Sequence, residues 1–523
     1  PEIVDVHDLD EIYSIGNALC RKALSIENNK FFTVKIFRLP NNYGAVIAVM
    51  HHLIADSWCL GLFFKEFIGE YKNLIKNEEN IGTAYSYIDF INDEQNYLNS
   101  NSFIKDKEYW SNIFSTVPET ATIPSVSKNY SQATSCAANR QIFKIPNSLL
   151  ASINEYCKKN KISAYNFLMA IYSIYIGRVS NSNDLVIGTP ILNRLNFSSK
   201  RTNGMFVNTI PFRINIDTNS TFDEFSKIIA QNSMAMLRHQ RYPYQNILED
   251  LREKDSSIPN LYNVVLSYQI TSTIDDEIKT DCSWIFNGNC ADDLQIHVVD
   301  YNDTGLTILY DYKSDRYSDE EITCVHNRAI YMMKQVLNNS AILLSDIDIV
   351  TEAEKHKLLY EFNNTTVDYP KNKTIVDLFE EQVEKTPNNT AVIFGNEKLT
   401  YKELNEKANQ LARYLLNNGV QKHDIVALRV DKSFEMIIGI LAIIKAGCTY
   451  LPINMSYPQE RVNYMLTDSS TKFLLTTSNI LDSINSSIKK LEIDLGNSKI
   501  YSSNTSNLNE KISPEDLIYI IYT

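Results

Sequence analysis

Two adjacent histidines and an aspartate stand close together in the stretch AVMHHLIADSWCLGLF, residues 48–63: His51, His52 and Asp56. A neutral imidazole is the side chain best matched to taking a proton near neutral pH, so one of the pair could serve as a general base. Asp56 could orient an imidazole ring, or pair with a cation and brace the turn. The same residues also fit a plainer role, a satisfied polar pair bordering a core. A metal centre would need further ligands, and no third one lies nearby in the sequence.

The flanking segments decide how these groups would be held. AVIAVM is an uninterrupted apolar run of strand length, predicted as a strand covered on both faces. Beyond it, Leu60, Phe63, Phe64, Phe67, Ile68 and Tyr71 recur at helical spacing. A helix therefore begins near Asp56 or Ser57, both good cap residues. The motif lies where a strand gives way to a helix. If the strand ran on through the pair, His51 and His52 would face opposite sides, one functional and one packing. The helix N-terminus carries partial positive charge, which disfavours imidazolium and keeps a base free.

Of the 523 residues 44% are hydrophobic and 22% charged, the balance of a folded protein. At ~150 residues per domain this is three or four packing units. The net charge of −13, with no sizeable lysine and arginine cluster, argues against a nucleic-acid partner. Eight cysteines show neither a CxxC pair nor zinc-ligand spacing, which fits a reducing, cytoplasmic compartment. The longest apolar run, MIIGILAII, falls far short of the ~20 residues a membrane span needs. The opening, PEIVDVHDLD, shows no signal peptide and reads as a cut through a longer polypeptide. The end, DLIYIIYT, reads as a buried strand, and so also as a cut.

Short apolar strands (FFTVKIFRL, YGAVIAVM) alternate with amphipathic helices in the first part. A connector, TVPETATIPSVSKNYSQATS, precedes a second alternating region that includes SLLASINEYCKKN, SAYNFLMAIYSIYIGRVS and the strand DLVIGTP. The polar stretch LLYEFNNTTVDYPKNK introduces a third unit. There Thr400 stands three residues before Glu403, a capping box, and Gly419 suits the left-handed position after the helix. Strands separated by helices predict a largely parallel sheet in this unit.

MHHLIADSWC resembles the HHxxxDG signature of condensation domains in nonribosomal peptide synthetases, a superfamily that includes chloramphenicol acetyltransferase. YSYIDFINDEQ, IGTPILNR, NGMFVNTIPFR and HQRYPYQNIL follow in the family's order. TIVDLFEEQVEKTPNNTAVIFGNEKLTYKELNEKANQLARYL and IIKAGCTYLPINMSYPQERVNYMLTDS then resemble the start of an adenylation domain. The resemblance implies an α/β (α+β) fold with two chloramphenicol-acetyltransferase-like lobes. It places the condensation domain at residues 1–345, its N-lobe at 1–125 and its C-lobe at 126–345. A linker at 346–369 and a partial α/β adenylation domain of the AMP-forming-ligase type at 370–523 follow. Against the family pattern, part of the stretch that usually precedes the histidine motif, with the family's first two signatures, is missing, and the adenylation part stops before its phosphate loop.

The resemblance also implies an activity: amide-bond formation between a carrier-bound acyl or peptidyl thioester and a carrier-bound aminoacyl acceptor. His52 takes the place of the catalytic histidine, accepting a proton from the acceptor amine or positioning it. Asp56 matches the bracing aspartate, with Arg194 as its partner, and His51 supports the loop. Ser57 replaces the family glycine, which allows positive φ and close backbone approach. Condensation itself needs no cofactor or metal. Phosphopantetheine arrives on upstream and downstream peptidyl carrier domains, with no nucleic-acid or membrane partner. ATP and Mg belong to the full-length adenylation domain, of whose phosphate loop Thr523 is at most the entry. Two other readings stand beside this one: a non-catalytic scaffold that docks carriers, and an epimerisation-type domain.

Overall fold

The computed structural model describes residues 2–22, 30–40, 43–78, 85–125, 135–258, 260–270, 278, 280, 282–301, 305–481 and 488–523. It separates into two compact units, Pro1–Asn363 and Asn364–Thr523.

The first unit opens with β1 (Glu2–Asp5), α1 (Leu9–Cys20), β2 (Phe32–Arg38) and β3 (Gly44–Met50). These strands form a three-stranded sheet, β1 parallel to β2 and β2 antiparallel to β3. Its core is small: Val6, Ile12, Phe37 and Ile47. Ile285, distant in sequence, completes it. A Cβ on Gly16 of α1 would lie 2.3 Å from the Ile285 side chain, and Tyr13 hydrogen-bonds Ser283 at 2.9 Å. The run AVIAVM is therefore less enclosed than its apolar sequence suggests. Within β3 only Ile47 is fully buried, because α1 and Ile285 pack on the face that carries it.

Three helices follow: α2 (Ser57–Lys76), α3 (Tyr87–Leu98) and α4 (Asn101–Ile113). The last belongs by packing to the larger core of the second lobe, which takes in Trp110, Phe114, Ala121 and Ile123. Helical periodicity marks a buried stripe but not which neighbour covers it.

The second lobe continues with β4 (Ala138–Lys144), α5 (Asn147–Asn160), α6 (Ala164–Ser180), β5 (Asp184–Ile191) and β6 (Asn208–Asn215). Then come α7 (Phe222–Arg238), α8 (Tyr244–Arg252), β7 (Val264–Ile270), β8 (Leu294–Asp300), β9 (Leu306–Lys313) and α9 (Asp319–Asn338). The sheet runs β4-β9-β8-β7-β5-β6, with β5, β7 and β8 mutually parallel. α6 is buried on all sides from Asn166 to Gly177, as its predominantly apolar sequence requires. Alternate strand residues face the helices: Tyr310 of β9 meets Tyr172 of α6 at 2.6 Å and His326 of α9 at 3.2 Å. A short α10 (Glu352–His356) is tied back to α9 by Arg328 and Glu354 at 2.7 Å, so part of the stretch expected as linker folds onto this unit.

The second unit holds α11 (Ile375–Lys385), the hairpin β10 (Thr390–Phe394) and β11 (Glu397–Thr400), and α12 (Tyr401–Asn417). Then come β12 (Ile425–Leu428), α13 (Phe434–Lys445), β13 (Thr449–Pro452), α14 (Gln459–Asp468), β14 (Phe473–Thr476) and β15 (Lys489–Glu492). The sheet β13-β12-β14-β15 is wholly parallel. Thr400 and Glu403 form the capping box of α12, and Gly419 lies in the left-handed region at φ 95°.

DLIYIIYT is not a buried strand. Tyr519 makes one parallel bridge to Tyr450 at the edge of β13. Ile520 and Tyr522 pack inward, while Leu517, Tyr519 and Ile521 are exposed. An edge position covers one face only, so alternate residues stay in solvent. Among the described residues, no helix is long and apolar enough to cross a membrane.

Candidate active site

β3 ends at Met50, so His51 and His52 stand in the turn after the strand and the alternation of a continuing strand does not apply to them. The His51 amide donates to Phe31 O at 2.7 Å, extending the β2–β3 pairing by one bond. Ile54 N donates to His51 O at 3.0 Å and closes the turn. His51 Nδ1 accepts from Leu53 N at 3.1 Å, and its ring lies edge-on to Phe31. This half-buried histidine is occupied in holding the loop. His52 beside it is exposed, and among the described residues its ring has no hydrogen-bond partner.

Asp56 is 2% exposed and caps α2, its Oδ1 accepting from Cys59 N at 2.8 Å. Arg194 Nη2 donates to Oδ1 at 3.0 Å and to Oδ2 at 3.2 Å, and Phe206 N donates to Oδ2 at 3.0 Å. The guanidinium is itself enclosed. Its Nη1 donates to Ser199 O and Thr202 O, its Nη2 also to Gly204 O, and Cζ lies 3.9 Å over the Phe206 ring. Asn193 just before it adopts φ 49°, a conformation asparagine tolerates. A buried pair of this kind is mainly a positional device, since losing one partner leaves an uncompensated charge at ~3–5 kcal/mol. Two segments remote in sequence are thus clamped around one carboxylate.

Ser57 opens α2, half-buried, and its φ is not positive. The backbone here makes no demand that only glycine meets. Trp58 Nε1 donates to Lys200 O at 3.0 Å. Burial pushes the Cys59 thiol up, so it is a packing group rather than a nucleophile. Gly204 is needed for space: a Cβ there would lie 2.2 Å from the Tyr87 ring.

The clamp brings His51, His52, Asp56, Ser57 and Arg194 into one region of the first unit. Thr523 lies in the other unit and is exposed. One hydroxyl does not make a cradle for ATP phosphates, which requires several convergent amides or cations. Among the described residues, no group of three or more His, Cys, Asp or Glu side chains is placed to hold a metal ion.

A second polar group escaped sequence reasoning. β7, β8 and β9 place Ser267, His297 and Asp311 on one sheet face. Ser267 Oγ lies 2.7 Å from His297 Nδ1, and His297 Nε2 lies 3.3 Å from Asp311 Oδ2. Arg140 of β4 holds Asp311 through two hydrogen bonds at 2.6 and 2.7 Å. Burial alone would raise the Asp311 carboxyl, but the bonds from Arg140 and His297 hold it below its ordinary value. The only available signal was polar residues interrupting the apolar runs VVLSYQI, LQIHVVD and LTILYDYK.

The condensation-domain family model matches residues 2–359, and the AMP-binding-enzyme model matches residues 379–523. The chain is 34% identical over 506 residues to surfactin synthase subunit 1 of Bacillus subtilis (strain 168), covering 96% of this chain and 14% of that protein. It is 32% identical over 496 residues to gramicidin S synthase 2 of Brevibacillus brevis, covering 94% and 11%. The chain thus spans a small part of these relatives. Among solved structures, holo-AB3403, a four-domain nonribosomal peptide synthetase bound to AMP and glycine, superposes with a TM-score of 0.77 at 19% identity, over 95% of this chain and 39% of that one. The first condensation domain of the calcium-dependent antibiotic synthetase, in complex with a substrate analogue, gives 0.56 at 15% identity over 67% and 78%. The chain therefore belongs to the condensation-domain family of the nonribosomal peptide synthetases, with an AMP-binding unit following the condensation unit along its sequence.

Proposed function

We propose that the first unit forms amide bonds between a carrier-bound acyl or peptidyl thioester and a carrier-bound aminoacyl acceptor, with His52 as its catalytic residue. One observation carries this reading: an exposed imidazole stands four residues from a fully buried carboxylate whose bonds to Arg194 and Phe206 fix the turn. As the acceptor nitrogen attacks the thioester carbonyl, the C–N bond forms and the C–S bond breaks. The imidazole takes the proton from nitrogen and returns it to the departing thiolate; if the amine arrives neutral, His52 holds it in line. Orienting two tethered reactants is itself worth ~7–11 kcal/mol of barrier, so the histidine shares the work with the geometry around it.

Phosphopantetheine arms on an upstream and a downstream carrier domain would deliver the two substrates. The AMP-binding unit would contribute to ATP- and Mg-dependent amino-acid activation in the full-length polypeptide. A cytoplasmic location agrees with eight cysteines that show neither a CxxC pair nor zinc-ligand spacing.

The test is amide formation by the full-length polypeptide with both carriers loaded, comparing the parent with His52→Ala. A loss of ~100-fold or more is expected for a general base. Equal rates would leave a scaffold that docks carriers without catalysing.

A further inference from the structure

Residues 283–290 run from the small first-lobe core to the edge of the six-stranded sheet. Tyr13 of α1 hydrogen-bonds Ser283 at 2.9 Å, and Ile285 completes the core of the first lobe. Next along the chain, Phe286 carries Arg140 Cζ of β4 over its ring at 4.5 Å. The segment then pairs with the residues that lead into β4. Ala138 N donates to Gly288 O at 2.9 Å, and Cys290 N donates to Cys136 O at 2.8 Å. Ala137 and Asn289 form the antiparallel bridge between these two bonds.

That register sets two cysteines abreast. Side chains alternate along an antiparallel ladder, and directly opposed residues share a face. With Ala137 opposite Asn289, Cys136 stands opposite Cys290, joined by the backbone bond just named. A hydrogen-bonded pair of this kind holds its Cα atoms about 5.5 Å apart, inside the ~4.4–6.8 Å window of a disulfide. The backbone is thus already placed, and closing a bridge asks for rotation of the two side chains.

The two thiols differ in the way a stepwise oxidation requires. Cys136 is exposed and Cys290 is buried. Burial, with Asp292 and Asp311 close by, pushes the Cys290 thiol up to about 12, so an oxidant in solvent meets Cys136 first. Cys290 Sγ makes one weak contact, to Asp311 O at 3.8 Å, which is readily given up. Its scarce thiolate is offset by proximity, because attack on a cross-strand neighbour is intramolecular.

We infer that Cys136 and Cys290 are an oxidation-sensitive pair, a modification site that fastens the segment joining the two lobes to β4. With hydrogen peroxide as oxidant, the Cys136 thiolate attacks one peroxide oxygen and the O–O bond breaks. Cys136 then carries S–OH, and the departing hydroxide takes up the proton the thiol had lost, giving water. The Cys290 sulfur attacks the Cys136 sulfur, the S–O bond breaks, and the hydroxyl leaves with the Cys290 proton as a second water. Two thiols lose two electrons, and one peroxide gains them. A thiol reductant reverses the bridge by exchange.

The test treats the full-length polypeptide with hydrogen peroxide, alkylates the remaining thiols and maps its peptides by mass spectrometry. The expected product is a Cys136–Cys290 cross-linked peptide, lighter by two hydrogens than the two reduced peptides and released by dithiothreitol. Cys136→Ser abolishes it. In Cys290→Ser, Cys136 stops at the sulfenic acid, which a 1,3-dione probe traps. Cys282→Ser, which alters another exposed thiol near this segment, leaves the cross-link intact. Hydrogen exchange in the peptides carrying Ala138 and Cys290 slows by about tenfold on oxidation of the parent. The parent decides the matter even if a serine variant fails to fold. Cys136 and Cys290 recovered on separate peptides after peroxide, or Cys136 joined to a different cysteine, overturns the inference. Unchanged exchange in cross-linked protein overturns it too, since nothing is then fastened.

Discussion

Arg194 Nη2 lies 3.0 Å from one oxygen of Asp56 and 3.2 Å from the other, joining positions 138 residues apart with both side chains out of water. Asp56→Asn keeps the shape and removes the charge, stranding the guanidinium. Urea denaturation should show a loss of ~3–5 kcal/mol. Replacing both partners together, Asp56→Leu with Arg194→Met, should cost less than the sum of the two single changes, because neither charge is then left unpaired. Additive losses would mean that the pair does not act as a unit.

Ser57→Gly tests whether the serine is a handicap. Its φ is not in the positive region, so no backbone strain is relieved by glycine. Stability should fall by at most about 1 kcal/mol, from the greater freedom of glycine in the unfolded chain. The amide-forming rate should stay within about twofold of the parent. A large rise would show that the serine side chain crowds a substrate.

Gly204→Ala should be destabilising for a steric reason. The new methyl would meet the Tyr87 ring at 2.2 Å, while Gly204 O must still accept from Arg194. A cost of ~1–3 kcal/mol is expected from overpacking. Combining it with Tyr87→Ala should recover part of that cost, read as a non-additive term in a double-mutant cycle. An unchanged melting temperature in Gly204→Ala would show that the loop gives way freely.

Acid should weaken the fold through His326. Burial pushes this imidazole down to about 4, against Phe143 at a ring distance of 4.0 Å. In the unfolded chain it titrates near ~6.5, so between the two values the unfolded state holds the extra proton. Stability from this group is complete above pH ~6.5 and is lost as pH falls toward 4, by ~3 kcal/mol in all. Denaturation of the parent and of His326→Phe at several pH values would isolate the effect; identical slopes in both would refute it.

Local signals proved the most legible part of the sequence. The capping box at Thr400 and Glu403 and the left-handed Gly419 depend on neighbours a few positions apart, and both are present. The parallel sheet of the second unit was equally plain, since strands separated by helices leave few other arrangements. What failed was enclosure. AVIAVM and DLIYIIYT are apolar throughout, yet Val46, Ala48 and Met50 are only half-buried, and Leu517, Tyr519 and Ile521 face solvent. An apolar run records that a strand can be covered, not how many layers arrive to cover it. The meeting of Asp56 with Arg194 was expected from family resemblance and not from spacing. Ser267, His297 and Asp311 were invisible because adjacency between strands, which local pattern does not encode, assembles them.

Ile285 has a consequence for how the chain is made. The packing of β1, β2, β3 and α1 is finished by a residue that leaves the ribosome more than two hundred positions after Ile47. During vectorial synthesis these strands and α1 must wait, their apolar side unsealed, until that late residue emerges. Codon-paced slowing between the two would lengthen the interval in which a nascent chain invites chaperones, and shortening it should raise soluble yield.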